Sequence, residues 1–137
     1  MKSYLHILFA ACALAILPML AGCSPAKDSS VKEGGLYAAR NDNGSYSVLK
    51  ILKTDDVGVH VKIYSNQFPT LPAKVDESAL YLAGADHKTN ETLGVEHVPL
   101  SRRTFDNWKA AFVQQSTVKE SELTGYKTWR EAKGGYF

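Results

Sequence analysis

Ser45-Tyr46-Ser47-Val48-Leu49-Lys50-Ile51-Leu52, followed after Asp55-Asp56-Val57-Gly58 by Val59-His60-Val61-Lys62-Ile63-Tyr64, decides the fold. The second run alternates. Val59, Val61 and Ile63 fall on one side of an extended chain and His60, Lys62 and Tyr64 on the other, the period of a strand. The first run is apolar at both parities around Val48 to Leu52, which predicts a strand covered on both faces. Upstream, Asn41-Asp42-Asn43-Gly44 holds an Asn-Gly pair that tolerates the positive φ angles of a type I′ turn, and it separates Leu36–Arg40 from the central run. Three strands with tight turns make an antiparallel meander. A central strand buried on both faces asks for a curled sheet or half-barrel.

Beyond the meander, Pro69 and Pro72 hold Phe68 to Ala73 extended. Leu80–Ala83 reads as a further short strand, and Ala85 to Glu96 as a polar loop. Helices come last. Ser101 can cap a helix carrying Phe105, Trp108 and Phe112 on one stripe, with Leu100 and Phe105 as a hydrophobic staple. Thr117-Val118-Lys119-Glu120 fits a capping box ahead of a second helix. There Leu123, Tyr126 and Trp129 recur every three residues, and Gly125 allows close approach of a neighbour. Arg130 and Lys133 suit the negative helix end, and Gly134-Gly135 stop it. The aromatic stripes serve to hold two helices on the sheet. The expected fold class is α+β: an N-terminal antiparallel meander packed by two C-terminal helices.

The N-terminal segment carries a different signal. Met1-Lys2 gives a positive start, Leu5 to Leu20 an apolar run, and Ala21-Gly22 small residues before Cys23. This is the order of parts in a secretory signal. The 16 residues from Leu5 to Leu20 would span about 24 Å as a helix, short of a bilayer core of about 30 Å. His6 and Pro18 interrupt them, and no basic cluster follows. Leu20-Ala21-Gly22-Cys23 resembles the lipobox of bacterial lipoproteins. That resemblance implies cleavage between Gly22 and Cys23 and acylation of the Cys23 thiol by chains such as palmitate. Ser24, in place of the aspartate that retains lipoproteins at the inner membrane, implies delivery to the outer membrane where the host has two. The expected organisation is a signal peptide over 1–22, the acylated cysteine and a flexible tether over 23–35, and one small domain over 36–137. The tether is polar and ends in Gly34-Gly35. Twelve such residues reach about 20 Å.

Composition narrows the chemistry. The chain has 16 basic and 14 acidic residues, and the leader contains one of the basic ones, Lys2. Near-neutral charge gives no electrostatic footprint for nucleic acid. Cys12 lies in the leader, so a domain lacking a disulfide must be held by packing. The chain contains no Gly-x-Ser-x-Gly elbow, phosphate loop or His-Glu-x-x-His pattern. Of the mature histidines His60, His87 and His97, the latter two follow Asp86 and Glu96, but neighbours on an extended chain point opposite ways. Hydrogen-bonded or exposed histidine is the favoured reading over a metal site. The acidic turn clusters lack the ligand spacing of an EF-type loop, and turn chemistry accounts for them. Arg102-Arg103 reads as a solvated face. Neither a cofactor nor a metal is expected.

One stretch stands out for recognition. Tyr64, Asn66, Gln67 and Phe68 join aromatic bodies to amide donors and acceptors at a strand end, a composition suited to binding a protein. The mature body, through Gly44–Lys53 with Val59-His60-Val61, His97–Ser101 and Gly134–Phe137, is similar to a small bacterial domain family without an assigned activity. It implies no catalytic residue. The expected function is a non-catalytic protein-binding module tethered in the cell envelope, such as an immunity protein against a periplasmic toxin. Two other readings stand beside it: an envelope-assembly or structural accessory, and a small periplasmic hydrolase using His60, His87 or His97.

Overall fold

The computed structural model describes residues 31–137. The expected leader, with Gly22 and Cys23 at its cleavage point, lies outside them, as does most of the tether. Five strands form one antiparallel sheet: β1 (Gly35–Arg40), β2 (Tyr46–Thr54), β3 (Gly58–Phe68), β4 (Val95–Ser101) and β5 (Ala111–Gln115). Their spatial order is β4-β3-β2-β1-β5, an open sheet with β4 and β5 as its edges. Two helices follow in the C-terminal half, α1 (Arg102–Asn107) and α2 (Thr124–Glu131). The α+β expectation, meander first and helices after, describes this protein. No helix among the described residues is long and apolar enough to cross a membrane.

The turns form for the reasons their residues suggest, with one change of type. Gly44 N–H bonds Asn41 C=O at 2.9 Å and Asn41 N–H bonds Ser45 C=O at 2.8 Å. Of the turn residues only Gly44 has positive φ, at 86°. The connection is therefore a type I turn closed by a left-handed glycine, not the type I′ turn expected from Asn-Gly. At the next corner the Asp55 carboxylate accepts the backbone N–H groups of Val57 and Gly58 at 2.8 and 2.9 Å.

Each face of the sheet has its own core. On the first, Tyr37, Leu49, Ile51, Val59, Val61 and Leu100 pack with Phe105 of α1. On the second, Leu36, Val48 and Tyr64 pack with Val75, supported by Phe68, Leu80, Leu82 and Val113. The double burial expected of Val48 to Leu52 is met: Val48, Leu49, Ile51 and Leu52 are at most 1% exposed. Irregular register between Leu36 and Tyr37, Ser47 and Leu49, Ile51 and Lys53, and Val61 and Ile63 interrupts the ladders, a device that bends and twists strands.

Helix α1 starts as expected, with Ser101 Oγ accepting Thr104 N–H at 3.1 Å and Leu100 and Phe105 sharing one core. It ends sooner. Lys109 turns left-handed at φ 48°, and the chain re-enters the sheet as β5. Phe112 thus lies on a strand opposite Tyr37, rather than on the helix with Phe105. The gain is a partner for the otherwise bare outer side of β1, which local helical spacing does not report. The second helix also begins later than its sequence signal. Glu122 Oε2, not Glu120, bonds the backbone N–H of Lys119 at 2.9 Å, and a 3₁₀ turn over Glu120–Leu123 precedes α2. Leu80–Ala83 forms no strand. It lies along β3 through Ser65 N–H to Tyr81 C=O at 2.9 Å and Ala83 N–H to Ser65 Oγ at 2.6 Å.

Contacts with the sheet also involve residues before 36. Val31 packs on the first core, Glu33 meets Lys53 at 2.9 Å, and Gly34 N–H bonds Ile51 C=O at 2.7 Å. Composition alone leaves these residues in the tether because their partners are distant in sequence.

Lys50, 2% exposed, sits on the second face. Its ammonium lies 2.9 Å from Glu122, which also holds Lys62 at 3.3 Å, while Glu77 lies 3.9 Å from Lys50. Burial opposes ionisation of Glu122, but the Lys119 N–H and the two lysines outweigh it and lower its pKa. Removing one member of such a pair leaves an uncompensated buried charge. Glu122→Leu and Lys50→Met should therefore each cost about 3 kcal/mol in urea unfolding, while the double change Lys50→Met with Glu122→Leu should recover most of the loss. Additive costs in that cycle would show that the ion pair does not fasten the 3₁₀ turn to the sheet.

Candidate functional site

Because α1 is short, the first face is not fully roofed. Past Trp108 a cleft of about 500 Å³ opens between the end of α1 and the β1–β2 turn. Ala39, Leu49, Ile63 and Trp108 supply its apolar surfaces, while Arg40, Asn41, Asp42, Ser47 and Asn107 supply polar ones. The lining is thus mixed, with polar and charged groups at least as prominent as the apolar ones. The turn side of the cleft is held in place. Asn41 Nδ2 donates to Ser45 Oγ at 2.9 Å and to Gln67 Oε1 at 2.7 Å. Ser47 Oγ donates to Asn41 Oδ1 at 3.1 Å, and Gln67 Nε2 reaches Ser47 Oγ at 2.9 Å. Such mutual bonding holds the backbone of a surface turn in one geometry.

Of the recognition stretch expected from sequence, each residue has an internal task. Tyr64 is 6% exposed and belongs to the second core. Burial and the carboxylates of Glu122 and Glu77 raise its pKa. Asn66 donates to Ala79 C=O at 2.9 Å and accepts Tyr81 N–H at 2.9 Å, holding the long β3–β4 connection. Phe68 is half-buried against the second core. Gln67 alone touches the cleft, through Asn41 and Ser47. The cleft residues Arg40, Asp42, Asn107 and Trp108 were not singled out by sequence reasoning. Trp108 reads there as one more core aromatic, and only the early stop of α1 leaves it beside a cleft.

The histidines divide. His87 is exposed and sits 3.2 Å from Gly84 C=O. His60 and His97 meet on the second face. His60 Nδ1 lies 2.9 Å from His97 Nε2, and His60 Nε2 lies 3.0 Å from the Tyr136 hydroxyl, which itself bonds Asp55 Oδ2. The rings of His60 and His97 are stacked at 5.1 Å, and Trp129 and Tyr126 stand edge-on to His60 at 4.4 and 4.7 Å. The carboxylate can only accept, so the Tyr136 O–H donates to Asp55 and its oxygen accepts His60 Nε2–H. His60 Nδ1 is then bare and accepts His97 Nε2–H. All four side chains are satisfied by one direction of donation.

Electrostatics agree with that arrangement. Burial, and then the charge that His97 can carry, lower the His60 pKa to about 4, against an opposing pull from Asp55. Burial likewise lowers His97. Burial and the Asp55 hydrogen bond raise Tyr136. Burial opposes ionisation of Asp55, yet the Tyr136 hydroxyl and the N–H groups of Gly58 and Val57 lower its pKa overall. Among the described residues no group of three or more His, Cys, Asp or Glu side chains is arranged to hold a metal ion. Comparisons with protein-family models, curated proteins and solved structures find no match to this chain.

His97 has room because of Gly125, as the sequence suggests. A Cβ on Gly125 would stand 2.5 Å from His97 Cβ, whereas one on Gly84 would meet nothing within 4 Å. Gly125→Ala should cost about 1–3 kcal/mol through overpacking and should displace the His97 ring resonances. Gly84→Ala should leave both unchanged. Equal effects of the two changes on stability and spectra would refute close packing of α2 on His97.

Proposed function

We propose that this chain is a lipid-anchored, non-catalytic binding domain of the cell envelope, and that the cleft beside Trp108 receives an apolar side chain of a protein partner. The observation that carries the reading is the cleft itself. Its mixed lining, with Ala39, Leu49, Ile63 and Trp108 beside a rim of Arg40 and Asp42, charges of opposite sign, suits a side chain entering from a surface that is apolar at its centre and polar around it. A fixed turn at the rim supports tight binding, because little freedom is lost when a partner docks. The Leu20–Cys23 pattern supports the anchor, and the short polar segment after it would keep the domain near the bilayer.

The histidines favour binding over hydrolysis. His60 is 0% exposed, and both its ring nitrogens are engaged within the protein. A general base must come within hydrogen-bond reach of a substrate proton. His87, though exposed, stands apart from His60 and His97. Protection against a toxin delivered to the periplasm is the specific form of the proposal.

Three measurements test it. Cys23→Ser should abolish fatty-acid labelling and release the protein from membranes; a variant still matured and sedimenting with membranes would refute the anchor. A photo-crosslinking residue at Asn107 should give one discrete protein adduct in living cells, and the same residue at exposed Thr70 should give none. Adducts at position 70 but not 107 would refute the cleft as the contact. A deletion strain should become sensitive to a toxin from a neighbouring cell, and unchanged survival would refute the protective role.

A further inference from the structure

The C-terminal segment is fastened to the sheet by two backbone hydrogen bonds and by aromatic and hydrogen-bonded side chains gathered on His60. Phe137 adds a stub to the outer edge of β4, with Phe137 N–H on Pro99 C=O at 3.0 Å and Ser101 N–H on Phe137 C=O at 2.7 Å. Tyr136 reaches inward to His60, and Trp129 Nε1 bonds Gly135 C=O at 3.0 Å. Helix α2 closes on itself just before this stub, with Lys133 left-handed at φ 51° and Gly134 N–H bonded to Trp129 C=O at 2.9 Å. The side chains between α2, the stub and the sheet include a hydrogen-bonded chain that runs from half-buried His97 through buried His60 and half-buried Tyr136 to the exposed acceptor Asp55.

We propose that this chain is an acid-operated latch, in which protonation of the His60–His97 pair releases α2 and residues 134–137 and uncovers the outer edge of β4.

The geometry sets how many protons the latch holds. Facing nitrogens 2.9 Å apart accommodate a single hydrogen between them. A first added proton can go to His97 Nδ1, leaving its Nε2–H still donating to His60. A second has only His60 Nδ1, and would set N–H against N–H between two stacked cations. His60 Nε2 gives no escape, since its hydrogen is already given to Tyr136. Titratable and charged groups surround His60, and on β2 its register partner is Lys53, whose ammonium is taken up by Glu33 at 2.9 Å. Asp55 comes from the β2–β3 turn, 3.9 Å from His60 Nε2. His97 comes from β4, Tyr126 from α2 with Arg130 over its ring at 5.6 Å, and Tyr136 from the C-terminal stub. Arg102, at the start of α1, is taken up by the Asp55 carbonyl oxygen at 3.1 Å. Asp55 is the one anion facing His60, and its carboxylate already receives the Tyr136 hydroxyl. It cannot neutralise two cations.

The sign follows from the lowered pKa values of both histidines. A released His60 titrates near its ordinary 6.5, whereas the latched one titrates at about 4. Release binds protons between those values. The latch is therefore at full strength above pH 6.5, weakens as pH falls from 6.5 towards 4, and changes little below that. Through His60 alone, the opening equilibrium rises on the order of 50-fold between pH 7.5 and 4.5.

Amide hydrogen exchange on the full-length protein in detergent, corrected for the intrinsic pH dependence of exchange, tests the latch. Protection of residues 124–137 and of the β4 edge should fall by roughly 50-fold between pH 7.5 and 4.5, while β2 and β3 keep theirs. His97→Gln should hold the segment closed at pH 4.5, because the amide oxygen of the substituted side chain can accept Nδ1–H from a protonated His60. Tyr136→Phe should raise exchange of the same segment already at pH 7.5. Uniform loss of protection across the domain would overturn the proposal, as would protection unchanged by pH, or acid release undiminished in a folded His97→Gln protein. Should His97→Gln fail to fold, an unaltered segment in Tyr136→Phe would overturn it alone.

Discussion

Two adjacent strands that are buried on both faces set the terms for everything else in this domain. β2 presents apolar residues to both sides, and β3 presents Val59 and Val61 to one and the buried His60 and Tyr64 to the other, so the sheet needs two roofs, and the chain that remains is short. The connections do the roofing. β4 and β5 are opposite edges of the sheet, so the path between them must cross the whole first face, and it takes α1 with it. The path from β5 back to α2 crosses the second face in the other direction, ending beside β4. The long β3–β4 connection fills the remainder with Val75, Leu80 and Leu82. Each crossing is also a cover, which is how a sheet of five strands gains two cores from two short helices.

Such economy leaves polar groups inside. Lys50 and His60 are both at most 2% exposed, and both occupy the second face, where short polar-edged segments rather than an amphipathic helix of full length provide the roof. An unpaired polar group in that setting would cost more than its burial gains. Each is met from the distant C-terminal half, Lys50 by Glu122 and His60 by Tyr136. These pairings are directional. Apolar contacts would hold α2 on the sheet in many rotations, but the lysine and the histidine bonds select one. Buried polar pairs of this type contribute to the choice of structure more than to its stability.

The legible part of the fold is the part governed by local rules. Alternation from Val59 to Tyr64 locates a strand, Asp55 marks a turn by capping its own backbone, and Ser101 with the Leu100–Phe105 staple starts a helix. Where a residue's role depends on a distant partner, local signs fail. Phe112 keeps helical spacing from Phe105 and Trp108, yet the outer side of β1 offers it strand bonds that no window around residue 112 contains. Thr117 to Glu120 has the pattern of a capping box, but Glu122 is the carboxylate that Lys50 and Lys62 draw inward, and the helix start moves with it. Lys32 to Gly35 has the composition of a linker and is bound all the same, through Lys53, Ile51 and Ser116. The site follows the same division. Gln67 was legible as a surface amide, but its bonds to Asn41 and Ser47 across the β1–β2 turn were not. The cleft exists because a helix stops early, an event whose cause lies at the far edge of the sheet.

The cleft and the histidine chain lie on opposite faces, yet one strand carries both. Ile63 of β3 lines the cleft, while Val59 and Val61 pack in the first core on either side of His60, which points to the second. A strand with its alternate residues locked in two cores cannot slide or rotate at one face without disturbing the other, since a shift of one residue would exchange the faces of every side chain. A disturbance at His60 is thus resisted by Val59 and Val61, and the segment free of that double lock is the C-terminal one, whose backbone meets the sheet at the outer edge of β4. Release there leaves β3 in register and the floor of the cleft in place. The construction sets the C-terminal segment and the cleft apart, with the central pair of strands as the wall between them.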